Sequence, residues 1–135
     1  MEPTKNSVYL VEDDPFITEL LAKSMAKNSW DLHSNNTGKD AFEEIKKTQP
    51  QTVILDIMLP EMDGIEILKL LKADPATKAI PVIMFSNLSE ESKIRTAREL
   101  GVVRFFIKAN SLISEIVEEV GKQLKLPVQA PEHQN

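Results

Sequence analysis

Cysteine is absent from the 135 residues, so the chain can form neither a disulfide framework nor a thiolate site for zinc or an iron–sulfur cluster. That composition fits a reducing compartment, and the cytoplasm is the expected location. No apolar run approaches the roughly 20 residues needed to cross a bilayer, and Met1-Glu2-Pro3-Thr4-Lys5-Asn6 has no apolar signal core. Membrane insertion and secretion are therefore not expected. Positive charge is in deficit: the formal net charge is −5, which disfavours nonspecific attraction to nucleic acid or anionic lipid. Glycine is scarce, with four residues, and neither a G-x-G-x-x-G run nor a P-loop occurs to cradle phosphate with backbone N–H groups. The two histidines, His33 and His133, stand far apart without ligand-spaced partners, which argues against a histidine-based nucleophilic triad. Internal repeats and interdomain linkers are also lacking.

What is present is one ordinary globular composition, 41% apolar and 27% charged, at a length that supports a single core. Short apolar runs recur at Ser7–Val11, Val53–Leu55, Pro81–Phe85 and Val102–Ile107, each reading as a strand buried on both faces. Trp30–Ser34 alternates apolar with polar residues and reads as an edge strand, with Trp30 in the core. Helical patterns lie between them. Asp14 as N-cap and Pro15 open the first; Thr37 opens the second, Asp63 with Glu66 the third, Ser89 the fourth, and Gly101 ends the fourth. From Ser111 the spacing of Leu112, Ile113, Ile116, Val117, Val120 and Leu124 predicts a fifth helix. The alternation predicts a doubly wound α/β sandwich, a parallel five-stranded sheet with helices on both faces. A domain over residues 7–126 and a flexible tail over 127–135 are expected.

In such sheets ligands bind beyond the carboxyl ends of the strands. Those ends carry Glu12-Asp13-Asp14, Asp56, Ser86-Asn87 and Lys108. Clustered carboxylates repel phosphate but suit Mg²⁺, a hard cation that keeps several waters and takes one or two carboxylates directly. Asp56 carries the most weight, because it interrupts Val53-Ile54-Leu55-Asp56-Ile57-Met58-Leu59 and a charge beside a buried strand is costly unless paired or metal-bound. Taken singly, Asp14 also serves as a helix cap, Glu12 and Asp13 as solvated strand-end carboxylates, Ser86 as a turn cap and Lys108 as a snorkelling cation.

The combined pattern Leu10-Val11-Glu12-Asp13-Asp14, then Leu55-Asp56-Ile57-Met58-Leu59-Pro60-Glu61-Met62-Asp63-Gly64, then Ser86, then Lys108, resembles the receiver domain of two-component response regulators. The resemblance runs from about Val8 to Leu124 and implies the flavodoxin-like strand order 2-1-3-4-5. It implies that Asp56 is a phosphoacceptor served by a histidine kinase, a histidine phosphotransfer protein or a small donor such as acetyl phosphate. It further implies Mg²⁺, with Mn²⁺ as a substitute, held by Asp13, Asp56 and the Met58 backbone carbonyl, and by Glu12 through water. Lys108 and Ser86 would stabilise the phosphoryl oxygens. Ser86 and Phe105 would form the switch that alters the face of the fourth helix, fifth strand and fifth helix toward a downstream protein target, with a phosphorylation-dependent homodimer as a further association. The implied role is regulatory and not that of an enzyme beyond self-phosphotransfer and slow autodephosphorylation. Direct contact with nucleic acid or membrane is not implied.

Two positions depart from the family pattern. Ala109 follows Lys108 where proline is usual, which implies a trans peptide and a displaced loop that carries Lys108 with it. Met58 and Leu88 put apolar side chains where polar ones elsewhere assist an attacking water, so dephosphorylation should be slow. Three other readings compete: a receiver-like interaction module that is never phosphorylated, a haloacid-dehalogenase-type phosphotransferase, and a flavodoxin-type cofactor binder. The second needs a carboxylate two residues after the nucleophile, where Met58 stands, and the third lacks an acidic first loop.

Overall fold

In the computed structural model, which describes residues 6–125, alternate residues of the strands other than the second, which is largely exposed, enter opposite core layers, as the two-residue period of a strand requires. The strands are β1 (Ser7–Val11), β2 (Asp31–Asn35), β3 (Thr52–Leu55), β4 (Val82–Ser86) and β5 (Arg104–Ile107). The helices are α1 (Pro15–Lys27), α2 (Ala41–Thr48), α3 (Gly64–Ala73), α4 (Glu91–Glu99) and α5 (Ile113–Leu124). All strand pairings are parallel and the sheet order is β2-β1-β3-β4-β5, as expected. Val8, Leu10, Ile54, Ile83, Phe85 and Phe106 pack with Leu21, Met25, Ile116, Val117 and Val120 on the α1/α5 side. Tyr9, Val11, Val53, Leu55, Val82 and Met84 pack with Ile45, Ile67, Leu68, Leu71 and Ala97 on the other. Each fully buried aliphatic side chain contributes about 1.5–3 kcal/mol, so these two layers hold the sheet rigid beneath its loops.

The edge of this scheme differs from the sequence reading at several boundaries. The β2 strand begins at Asp31, one residue after Trp30, whose ring is buried as expected. The second helix starts at Ala41, not Thr37. Thr37 instead donates its N–H to the Asn35 side chain at 3.1 Å, and Gly38 takes φ +81°, which interrupts helical geometry. The fourth helix starts at Glu91 instead of Ser89, because the Glu90 carbonyl accepts the first helical bonds from Lys93 and Ile94. The fifth strand is shorter than expected and starts at Arg104. Before α5, a single 3₁₀ turn, Lys108–Asn110, delays the helix from Ser111 to Ile113, where the Glu115 carboxylate accepts the Leu112 N–H at 2.7 Å. Asp14 and Asp63 cap α1 and α3 as expected, accepting from Phe16 at 2.9 Å and Ile65 at 2.6 Å. Gly101 follows α4 with φ +91°, a conformation that stops a helix. The tail over 127–135 and His133 lie outside the described residues; His33 is exposed and sits 3.2 Å from Asp31.

Gly64 fixes how closely α3 approaches the end of β3. A Cβ there would lie 2.0 Å from the Asp56 carbonyl oxygen and 2.7 Å from the Ile57 Cα, both backbone atoms that cannot step aside. The Gly64 N–H donates to the Ile57 carbonyl at 2.9 Å, which binds the helix start to the strand end. Gly64→Ala should therefore lower stability by about 2–4 kcal/mol, beyond the usual overpacking range because backbone must move. Urea denaturation checks this; a loss under about 0.5 kcal/mol would show that the junction yields freely.

Candidate functional site: an acidic pocket closed by a lysine

Register brings the strand ends together. Val11 pairs with Leu55, so Glu12 and Asp13 follow β1 beside Asp56 after β3; Ser86 pairs with Ile107, so Lys108 follows β5 beside the end of β4. Glu12, Asp56 and Lys108 continue the alternation of Leu10, Ile54 and Phe106, the residues facing the α1/α5 layer, and their side chains meet. The Lys108 Nζ donates to Asp56 Oδ2 at 2.7 Å and to Glu12 Oε2 at 2.9 Å. It lies 5.6 Å from the centre of the Phe85 ring. The displacement expected from Ala109 does not occur. Among the described residues no peptide bond is cis, yet the lysine reaches both carboxylates.

Glu12 and Asp56 are 2% and 3% exposed, whereas Asp13 faces solvent. Backbone donors orient the buried pair: Asp14 N–H to Glu12 Oε2 and Met58 N–H to Asp56 Oδ1, each 3.1 Å. One ligand oxygen from each of Glu12, Asp13 and Asp56 can be chosen so that all three lie within 4.8 Å of one another. Glu12 Oε1 is buried and stands 2.8 Å from the Lys108 Nζ, but without hydrogen-bond alignment, so it is left with spare acceptor capacity. Hard oxygen donors, one of them solvent-facing, fit a cation that retains water such as Mg²⁺. Burial pushes the Glu12 carboxyl above its usual range, opposed by Lys108 and the Asp14 N–H. Burial also works against the Lys108 charge, but Asp56 and Glu12 outweigh it and hold the ammonium above its ordinary value.

The remaining expected residues surround this centre. Ser86 is fully buried, and its Oγ accepts the Leu88 N–H at 3.3 Å, the turn-capping role its residue type allows. Phe105 is half-buried beside Met84 in the ladder and packs on the α2–α4 layer, as does Leu88. Met58 projects outward at 56% exposure. Asp14 is occupied as the α1 cap. Asn87, with no role evident from the sequence, accepts the Ala109 N–H on its Oδ1 at 2.9 Å; a contact between the loop after β4 and a 3₁₀ turn 22 residues on leaves no periodic signal.

Removing the ammonium leaves two buried carboxylates without their cation. Lys108→Met should cost about 2–4 kcal/mol at pH 7 in the absence of divalent metal, and Mg²⁺ should recover part of it. A group whose pKa is raised on folding stabilises fully below its unfolded value and loses that contribution above its folded one. The difference between wild type and variant should therefore hold through neutral pH and shrink as pH rises past the ordinary lysine value of 10.5. Denaturation with and without Mg²⁺ across pH checks this; a variant as stable as wild type without metal would contradict it.

The family described as "Response regulator receiver domain" matches residues 8–120 of this chain. A protein-glutamate methylesterase/protein-glutamine glutaminase from Syntrophomonas wolfei is 32% identical over 132 residues, covering 90% of this chain and 36% of its own. The chain spans well under half the length of the curated relatives it matches. The beryllofluoride-activated N-terminal receiver domain of Klebsiella pneumoniae RstA superposes with a TM-score of 0.78 at 25% identity, covering 88% of this chain and 98% of its own. The receiver domain of the Pseudomonas aeruginosa sensor histidine kinase PA1611, with magnesium coordinated in its active-site cleft, gives 0.78 at 15% identity, covering 90% and 99%. Among the described residues no helix is long and apolar enough to cross a membrane. With its strand order, its acidic strand ends and its family match all in agreement, the chain belongs to the receiver domains of two-component response regulators.

Proposed function

We propose that this domain is a phosphorylation-dependent switch in which Asp56 accepts a phosphoryl group from a histidine kinase or histidine phosphotransfer protein. Receiver domains as a family are regulatory and interact with such kinases and with downstream effectors. The observation that carries the reading here is the Lys108 ammonium 2.7 Å from Asp56 Oδ2, within a cluster of three carboxylates. An Asp56 oxygen attacks phosphorus as the donor's P–N bond breaks, or the P–O bond of acetyl phosphate, and the bonding pair leaves on imidazole or acetate. Phosphoryl transfer asks mainly for alignment and charge stabilisation. Lys108 supplies a positive charge to the transferred oxygens and Ser86 a hydroxyl donor. Asp13, Asp56 and the Met58 carbonyl would hold Mg²⁺, with Glu12 acting through water. Bound there, the ion would neutralise charge on the phosphoryl oxygens.

The output follows from a change at Ser86. Its hydroxyl oxygen is engaged by the Leu88 N–H, and an acyl phosphate on Asp56 draws the hydroxyl the other way. Phe105, half-buried next to this loop, rotates in response, and the α4–β5–α5 face changes for a downstream protein or for a second copy. Such a switch is a population shift and needs the phosphoryl group to bind the two states unequally. The apolar Met58 and Leu88 offer no hydrogen bond to an attacking water, which slows hydrolysis. The domain boundaries we propose are residues 7–126.

Incubation with acetyl phosphate and Mg²⁺ should add about 80 Da, one phosphoryl group, in intact-mass spectra, abolished by EDTA or by Asp56→Ala. Absence of the adduct with both acetyl phosphate and a cognate kinase would overturn the reading. Once labelled, wild type should retain the group about tenfold longer than a Met58→Asn, Leu88→Glu double variant, since positioned polar groups assist water. An equal or shorter wild-type half-life would refute the role given to these two side chains.

A further inference from the structure

Lys108 is useful only if its backbone is held while its side chain spans the pocket, and the structure shows one contact suited to that task. Lys108, Ala109 and Asn110 form the 3₁₀ turn after β5, closed by the Ser111 N–H on the Lys108 carbonyl at 3.4 Å. The N–H groups that open a helical turn have no partner within it. At Ala109 that donor is taken by Asn87 Oδ1 at 2.9 Å. Asn87 directly follows Ser86, the last residue of β4, and among the described residues β5 has β4 as its one strand neighbour, so the turn after this edge strand has no strand on its outer side. We infer that Asn87 is a positioning residue: by binding the Ala109 N–H it fixes the turn that roots Lys108 and so keeps the ammonium on Asp56. The inference rests on Asp56 as phosphoacceptor. Its physical basis is that a long flexible cation contributes to transfer only in proportion to the time it spends aligned, and a fixed root raises that fraction. Because proline has no N–H, only a non-proline residue at 109 allows the tie.

The test measures acetyl phosphate labelling of the full chain by intact mass over a range of Mg²⁺ concentrations. Asn87→Ala should lower the maximal rate about three- to tenfold, the range one net hydrogen bond supports, while the Mg²⁺ concentration at half-maximal rate stays put. In an Ala109→Pro background, which removes the donor, Asn87→Ala should slow labelling no further. A wild-type rate in Asn87→Ala, or additive losses in the double variant, would each overturn the inference. Exchange of the Ala109 amide, followed by NMR, examines the tie without phosphorylation: it should quicken about tenfold or more in Asn87→Ala, and unchanged exchange would overturn the inference. Failure of wild type to label at all would count against Asp56 as acceptor, whereas a labelled wild type with an unaffected Asn87→Ala would count against Asn87 alone.

Discussion

The Lys108 ammonium, bound at once to Asp56 and Glu12, is the interaction on which the rest of this structure turns. Two carboxylates almost wholly out of water, next to a third, would push the strand ends apart without it. The cation comes from the far edge of the sheet, so its contact binds the ends of β1, β3 and β5 into one assembly. Each strand contributes rigidity through its two packed faces, and the register of β1 on β3 and of β5 on β4 carries that rigidity to the side chains.

A site made this way is poised for exchange. The pocket holds more negative charge than one lysine satisfies, and Glu12 Oε1 remains buried with no aligned donor. On the proposed function, a divalent cation and a phosphoryl group would add charge of both signs, and the lysine would leave Glu12 for phosphoryl oxygens while staying near Asp56. Unequal occupancy of that kind is what a switch needs, since a ligand moves an equilibrium only by its difference in affinity for the two states. Under the proposed function, stability and signalling would draw on the same few groups. Under the proposed switch, Ser86, whose hydroxyl oxygen accepts the Leu88 N–H, and the half-buried ring of Phe105 would carry the change toward α4 and α5.

Much of this was legible in the sequence because the physics is local. Runs such as Val53–Leu55 are apolar on both faces, so they declare strands of a covered parallel sheet, and Asp56 stands out as a charge in such a run. The Asp14-Pro15 and Asp63 helix starts are legible because a capping side chain acts within two residues. What escaped depends on longer reach or on competing local bonds. Thr37 has the chemistry of a cap, but the Asn35 side chain and the positive φ of Gly38 claim that segment. Ala109 suggested a misplaced lysine, and nothing near it in sequence reveals that Asn87, a strand away, takes its N–H. Gly64 was visible as part of a motif, whereas its reason, a backbone passing where a Cβ would sit, belongs to the fold.

On the proposed function, Lys108 and the three carboxylates form one centre that receives a phosphoryl group on Asp56. The most direct measurement is a crystal structure of the domain with Mg²⁺ and beryllofluoride, a mimic of the phosphoryl group. Beryllium should lie on an Asp56 oxygen and Mg²⁺ on Asp13, Asp56 and the Met58 carbonyl. Lys108 should then have moved from Glu12 to fluorine, with Ser86 donating to a second fluorine. Beryllofluoride bound elsewhere, or Lys108 still on Glu12 with Asp56 unmodified at saturating reagent, would contradict the proposed function.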